Sequence, residues 1–189
     1  DEISYGELNS NIKKLSTYFS NEGIRSYDKV IISSADEGFI ICFYLALIAN
    51  GITVIFIDPT SSTDRANALI RYCNAKFIFV DDKLQKDWQL TENCQQKVVP
   101  ICPSIKEKTI SKLFSGTRKH SAHFPACIEN LPESETSDNI DPDADAYILF
   151  TSGTTSAPKG VRISYRALFS HLNSLSKVYH TSQESRIFN

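Results

Sequence analysis

The residues best suited to chemistry lie between positions 151 and 160, where the sequence reads TSGTTSAPKG. Five of the first six side chains carry a hydroxyl group, and the remaining residue is Gly153. Hydroxyls and free backbone N–H groups donate hydrogen bonds to phosphate oxygens, and glycine allows close backbone approach. Lys159 adds a compact positive charge, and Pro158 fixes the backbone before it. The segment predicts a polyphosphate-binding loop; the alternative is a Ser/Thr/Gly-rich surface hairpin with an incidental lysine.

The flanking residues predict that this loop joins two strands. Tyr147–Phe150 is a short hydrophobic run, and Val161–Ile163 alternates as a strand does. A Walker-type phosphate loop needs Gly-Lys-Ser/Thr leading into a helix whose N-terminus faces the phosphates. Here the order is Lys159-Gly160, followed by a strand pattern. The sequence therefore argues against a Walker-type NTPase.

The elements that must position this loop alternate between strands and helices. A capping box of Ser4 and Glu7 opens an amphipathic helix that Gly23 ends. Three strands and two helices are then predicted in turn, namely strand Lys29–Ser33, helix Ala35–Asn50, strand Ile52–Ile57, helix Thr63–Cys73 and strand Lys76–Val80. This alternation predicts an α/β fold, a doubly wound and largely parallel sheet with flanking helices.

Three ordered motifs resemble those of one enzyme superfamily. Residues 146–160, which read AYILFTSGTTSAPKG, resemble the phosphate-loop signature of the adenylate-forming superfamily. This superfamily contains acyl-CoA synthetases, luciferases and the adenylation domains of nonribosomal peptide synthetases. Residues 3–8 (ISYGEL) and the segment Leu47–Asp58, followed by Arg65, are similar to two upstream family motifs. Ser156 stands where the family usually has glycine, and Ile57 where it usually has proline.

The resemblance implies a mechanism and a set of site residues. Family members let a substrate carboxylate attack the α-phosphorus of ATP, which gives an acyl-adenylate and pyrophosphate. A thiol, of CoA or of a carrier protein's phosphopantetheine, then displaces AMP. By this resemblance the residues that contact the phosphates of ATP are Thr151, Ser152, Gly153, Thr154, Thr155 and Lys159. Mg²⁺ is the implied metal, and Thr151 is the hydroxyl expected to associate with it.

The resemblance leaves the type of ligase open. The loop favours a fatty acid or other carboxylic acid:CoA ligase, with the adenylation domain of a nonribosomal peptide synthetase as the alternative. A non-enzymatic alternative is a truncated nucleotide-binding or scaffold module. The remaining family motifs are expected beyond Asn189. We therefore expect residues 1–189 to be part of an N-terminal AMP-binding domain, with an acidic connection over 132–145. Such a piece has no catalytic residue of its own and is expected to be inactive alone.

Composition narrows the class of protein and its partners. The 20 Lys and Arg against 22 Asp and Glu give a net charge of -2, which argues against a nucleic-acid partner. The longest apolar run, Phe39–Ala49, is shorter than the roughly 18 residues of a membrane span. Without any Cys-x-x-Cys pair, the five cysteines predict buried free thiols in a reducing compartment, and we expect a cytoplasmic location. The sequence contains no Met, so we expect a piece of a longer protein.

Overall fold

The computed structural model describes residues 4–91, 96–101, 128–151 and 159–179. Within these residues the helices are α1 (Tyr5–Asn21), α2 (Glu37–Ala49), α3 (Thr63–Cys73), α4 (Asp82–Asp87) and α5 (Tyr165–Tyr179). The strands are β1 (Lys29–Ser33), β2 (Thr53–Phe56), β3 (Phe77–Asp81), β4 (Lys97–Ile101), β5 (Asp145–Phe150) and β6 (Gly160–Ser164).

The described strands form one six-stranded sheet in the order β4-β3-β1-β2-β5-β6. The first five are parallel to their neighbours, and only β6 pairs antiparallel with β5. Parallel strands need covered faces, and the near-continuous apolar runs of β1, β2 and β3 satisfy that need. The predicted α/β fold with a doubly wound, largely parallel sheet is confirmed.

Helices cover both faces of the sheet. On one face, α1 and α2 pack over Val30, Ile32 and Phe79. Phe43 of α2 lies at the centre of this core, with ring centroids 5.2 Å from Phe19 and 4.7 Å from Phe79. On the other face, α3 and α4 pack over the alternate strand residues, among them Ile31, Ile55, Ile78 and Ile148. Neighbouring residues along each strand thus serve different cores, which fixes the register of the sheet.

Local sequence signals fix the bounds of α1. The Ser4 hydroxyl oxygen accepts a hydrogen bond from the Glu7 backbone N–H at 3.2 Å, and the Glu7 carboxylate accepts from the Ser4 backbone N–H at 2.9 Å. This is the predicted capping box. After the helix, Gly23 has φ +72°, a left-handed conformation that costs glycine little.

The acidic segment before β5 runs alongside α1. The hydroxyl groups of Ser10 and Thr17 donate hydrogen bonds to the Glu133 carboxylate at 2.6 Å and to the Pro132 carbonyl at 2.7 Å. The Lys13 ammonium lies 2.8 Å from Glu135, and this pairing raises the pKa of the lysine. These contacts bring the chain back to the sheet, where β5 adds beside β2.

Helix α5 joins the body at its first turn. Tyr165 is buried, and its hydroxyl donates a hydrogen bond to the Ile48 carbonyl at 3.1 Å. The later residues of the helix are exposed, including five large apolar side chains, namely Phe169, Leu172, Leu175, Val178 and Tyr179. Among the described residues, no helix combines the length and the apolar character that crossing a membrane requires.

Candidate functional site

The hydroxyl-rich segment follows β5 at the carboxyl edge of the parallel sheet. β5 lies beside β2 and points the same way, so its end meets the ends of β1, β2 and β3 at one edge. After β2 the chain crosses to β3, which lies on one side of β2 in the sheet. After β5 it continues to β6, which lies on the opposite side. The segment therefore starts at a point where the strand order reverses. In open α/β sheets this is the place where ligands bind.

Two strands of the same sheet hold the ends of the segment. Phe150 of β5 pairs with Gly160 of β6, and the Thr151 backbone N–H donates a hydrogen bond to the Lys159 carbonyl at 3.1 Å. We call these four residues the neck. Strands therefore flank the segment on both sides, as predicted, and the described element that follows it directly is β6 rather than a helix. This geometry differs from a Walker-type loop, as the sequence indicated.

The structure brings together the first and last of the predicted phosphate-binding residues. Thr151 and Lys159 face each other across the neck, and both are exposed to solvent. A hydroxyl group and an ammonium group are thus available at the entrance to the loop. The other four predicted residues, Ser152, Gly153, Thr154 and Thr155, lie outside the described residues. Phosphate contacts by all six residues remain a prediction.

Sequence reasoning missed the packing on one face of the neck. The Phe150 ring lies against Tyr72 of α3, with ring centroids 6.2 Å apart at an interplanar angle of 75°. On the neighbouring strand, a Cβ atom added to Gly160 would lie 3.2 Å from Phe150 Cε1. The pairing of Tyr72 with Phe150 carries no sequence signal, because it joins a helix and a strand that are far apart in the chain.

The carboxylate after β2 is engaged by its own turn. Asp58 Oδ1 accepts hydrogen bonds from the Thr60 backbone N–H at 2.8 Å and from the Thr60 hydroxyl at 2.6 Å. These bonds to Thr60 lower the pKa of the Asp58 carboxyl. This turn accounts for Asp58 at the end of β2, because an Asp that bonds the backbone two residues on ends a strand. It also places a negative charge at the carboxyl edge of the sheet.

A second carboxylate ties two strand ends together at the same edge. Asp81 at the end of β3 is buried, and its two oxygens accept from the Ser34 hydroxyl at 2.6 Å and the Ala35 backbone N–H at 2.9 Å. The Ser34 hydroxyl in turn accepts from the backbone N–H of Asp36, the residue that caps α2. Both oxygens of Asp81 are therefore used to hold β1, β3 and α2 in register.

Fold and loop together define an α/β protein of the adenylate-forming type. The family model described as AMP-binding enzyme matches residues 1–188, and the chain belongs to this family. The family resemblance inferred from the three sequence motifs is thereby confirmed.

Several curated relatives are nonribosomal peptide synthetases. GRA1 of Gibberella zeae is 29% identical over 187 residues, which cover 98% of this chain and 2% of that protein. Nonribosomal peptide synthetase 8 of Aspergillus fumigatus is 26% identical over 186 residues, 98% of this chain and 2% of that protein. The chain thus spans a very small part of the relatives it matches.

Solved structures of similar fold include an ATP-bound protein and a CoA synthetase. ATP-bound MatB from Rhodopseudomonas palustris aligns with a TM-score of 0.76 and 19% identity, covering 95% of this chain and 33% of that one. The o-succinylbenzoate CoA synthetase MenE from Bacillus subtilis, in complex with AMP, aligns with a TM-score of 0.72 and 16% identity. That alignment covers 98% of this chain and 42% of that one. At such low identity these likenesses concern the fold alone.

Proposed function

We propose that this chain is the N-terminal part of the nucleotide-binding domain of an ATP-dependent, AMP-forming enzyme that activates a carboxylic acid. The observation that carries this proposal is the neck. It places the exposed Thr151 and Lys159 together at the point of the carboxyl edge where the strand order reverses. Family membership and the ATP-bound and AMP-bound structural neighbours support ATP as the ligand. In this proposal 132–145 is the connection that leads into β5.

The chemistry assigned to the loop is stabilisation of the leaving pyrophosphate. Attack of a carboxylate on the α-phosphorus forms the acyl-adenylate and moves negative charge onto the pyrophosphate oxygens. A cation and fixed hydrogen-bond donors aimed at those oxygens lower the barrier. Lys159 supplies the cation, and Thr151 with the hydroxyls of Ser152, Thr154 and Thr155 supplies the donors.

The oxygen atoms at the neck can supply only some of the ligands that an Mg²⁺ ion needs. Mg²⁺ in nucleotide sites takes phosphate oxygens, waters and one or two carboxylates. In the described part of the chain no group of three or more His, Cys, Asp or Glu side chains is arranged to hold a metal. The exposed hydroxyl of Thr151 is the neutral oxygen we propose to accompany the phosphates. The metal, when bound, supplies charge neutralisation between the phosphate groups.

Two substrate classes remain, and the relatives favour one of them. The relatives GRA1 and nonribosomal peptide synthetase 8 support an adenylation domain, which passes an amino acid to the phosphopantetheine thiol of a carrier protein. The carboxylic acid:CoA ligase that the loop sequence favoured is supported by the fold of the CoA synthetase MenE alone. We therefore propose the peptide synthetase type first and the acid:CoA ligase second.

A pyrophosphate-exchange assay on the full-length protein tests this function. A panel of amino acids and fatty acids identifies the acid, because only an adenylated acid supports exchange. Lys159→Ala is expected to slow the exchange roughly a hundredfold, since it removes a charge that stabilises the leaving group. Lys177→Ala, which removes an exposed lysine from α5, serves as the matched control.

Two outcomes of this assay contradict the proposal. An unchanged exchange rate in Lys159→Ala would contradict the role of the loop. The absence of exchange with every acid of the panel would contradict the proposed activity. The isolated chain of residues 1–189 is expected to give no exchange, because most of the adenosine and metal ligands are expected beyond it. Turnover by that chain would contradict this part of the proposal.

A further inference from the structure

Gly160 is required at the neck for space rather than for backbone freedom. Its φ does not lie in the left-handed region, unlike that of Gly23 and Gly51. A Cβ atom at this position would lie 3.2 Å from both Phe150 Cε1 and Ile148 Cγ2. Such distances are tighter than ordinary carbon contacts, so the neighbouring side chains would have to move by a few tenths of an ångström. Ile148 is buried in the core, which leaves the Phe150 ring to give way.

Phe150 is also held from the opposite direction. Its ring meets the ring of Tyr72 edge to face, at 6.2 Å between centroids. Tyr72 belongs to α3, whose Leu69 and Ile70 are buried against the sheet, so its backbone position is fixed. Phe150 is the residue directly before Thr151. Its ring is therefore confined between α3 and β6 at the point where the loop begins.

We propose that Gly160, Phe150 and Tyr72 are positioning residues that fix the neck so that the loop can hold the β- and γ-phosphates of a nucleoside triphosphate. This inference rests on the proposed function. Charged donors lose much of their effect when they are displaced by about 1 Å from the required geometry. A side chain on Gly160 would displace the Phe150 ring, and the loss of the Tyr72 ring would free it. Either change would shift both ends of the loop.

Nucleotide affinity of the full-length protein tests the proposal, with ATP, pyrophosphate and AMP as separate probes. Gly160→Ala is expected to weaken ATP and pyrophosphate binding roughly five- to tenfold, a size typical of a methyl group forced into a packed position. AMP has no β- or γ-phosphate, so its affinity is expected to stay unchanged. Gly6→Ala is the matched control, because a Cβ atom there meets only Ser4 Oγ, at 3.9 Å.

Tyr72 provides a second variant with little risk to folding, because the residue is 63% exposed. Tyr72→Ala is expected to weaken ATP and pyrophosphate binding about threefold, in line with the loss of one aromatic pair. Tyr72→Phe keeps the ring and is expected to restore the affinity. A purely structural role would weaken AMP binding equally and would give no such selectivity.

The outcomes distinguish this inference from the proposed function on which it rests. If Lys159→Ala weakens ATP binding while Gly160→Ala and Tyr72→Ala do not, the positioning role is overturned and the proposed function stands. Equal losses for AMP and ATP in Gly160→Ala overturn it as well, since they indicate general damage to the domain. If Lys159→Ala leaves ATP affinity unchanged, the proposed function fails, and this inference fails with it.

Discussion

Two buried thiols show how the environment of a single residue sets its reactivity. Cys42 and Cys73 are free and buried, as the sequence predicted for its cysteines. Burial raises the pKa of Cys42 to about 12 and that of Cys73 to about 11, because the thiolate would lose its hydration. Only the thiolate is a strong nucleophile, so neither residue is suited to covalent chemistry in the folded protein. Cys94, Cys102 and Cys127 lie outside the described residues.

Thiol labelling measures this protection. In a variant with serine at positions 94, 102 and 127, we expect Cys42 and Cys73 to react with a disulfide reagent at pH 8 only as fast as the protein opens. Urea should then speed the reaction by orders of magnitude. A stoichiometric burst in native buffer would contradict the burial.

The native state keeps its thiol protons to higher pH than the unfolded state does, so the free energy of unfolding should fall as pH rises from about 9 toward 12.

At the scale of the elements, side-chain caps decide where helices and strands stop. The Asp81 carboxylate joins β3 to the start of α2, and both of its oxygens accept hydrogen bonds. Ser62 caps the start of α3, and Asn74, the C-cap residue after the helix, takes a left-handed conformation with φ +50°. Such caps have clear residue signatures. The predicted bounds of β1 and α3, Lys29–Ser33 and Thr63–Cys73, agree with the structure.

Removing the Asp81 carboxylate should loosen that junction. Asp81→Ala leaves the buried Ser34 hydroxyl and the Ala35 N–H without their acceptor, at a cost of about 1–3 kcal/mol in the free energy of unfolding. Urea unfolding measured by circular dichroism checks this value. Asp87→Ala, at an exposed position, is the control and should change stability little. Equal stability of the two variants would contradict the role of Asp81.

Other elements and contacts could not be predicted, for physical reasons. Helix α4 spans only Asp82–Asp87, too short for an apolar period to appear, and Leu84 is its single buried residue. Helix α2 is apolar nearly all round, a pattern typical of a fully buried helix, yet Ile41 is 56% exposed. The sequence could place Thr151 and Lys159 in one loop, because they share a motif. It could not pair Phe150 with Tyr72, since only the tertiary fold brings them together.

At the scale of the whole molecule, α5 presents an apolar surface that the described residues do not cover. Phe169 and Leu172 are 53% and 48% exposed, and Val178 and Tyr179 are each 70% exposed. These residues continue the stripe that begins with the buried Tyr165. Contiguous apolar surface of this kind favours association in water.

We expect the isolated chain of residues 1–189 to associate with itself through α5. Sedimentation velocity should show oligomers at micromolar concentration, and Leu172→Asp should shift the distribution toward the monomer. Ser170→Asp places the same charge at an exposed polar position of the helix and is the control. A monomeric unmodified chain, or an unchanged distribution in Leu172→Asp, would contradict the role of this surface.

The reversed direction of β6 has a mechanical consequence. A loop between a strand and a helix can swing about its single rigid end, whereas both ends of this loop belong to hydrogen-bonded strands of one sheet. Opening by a hinge at either end would break the ladder between β5 and β6. The two strands that frame residues 152–158 are therefore expected to keep their positions whatever the segment binds.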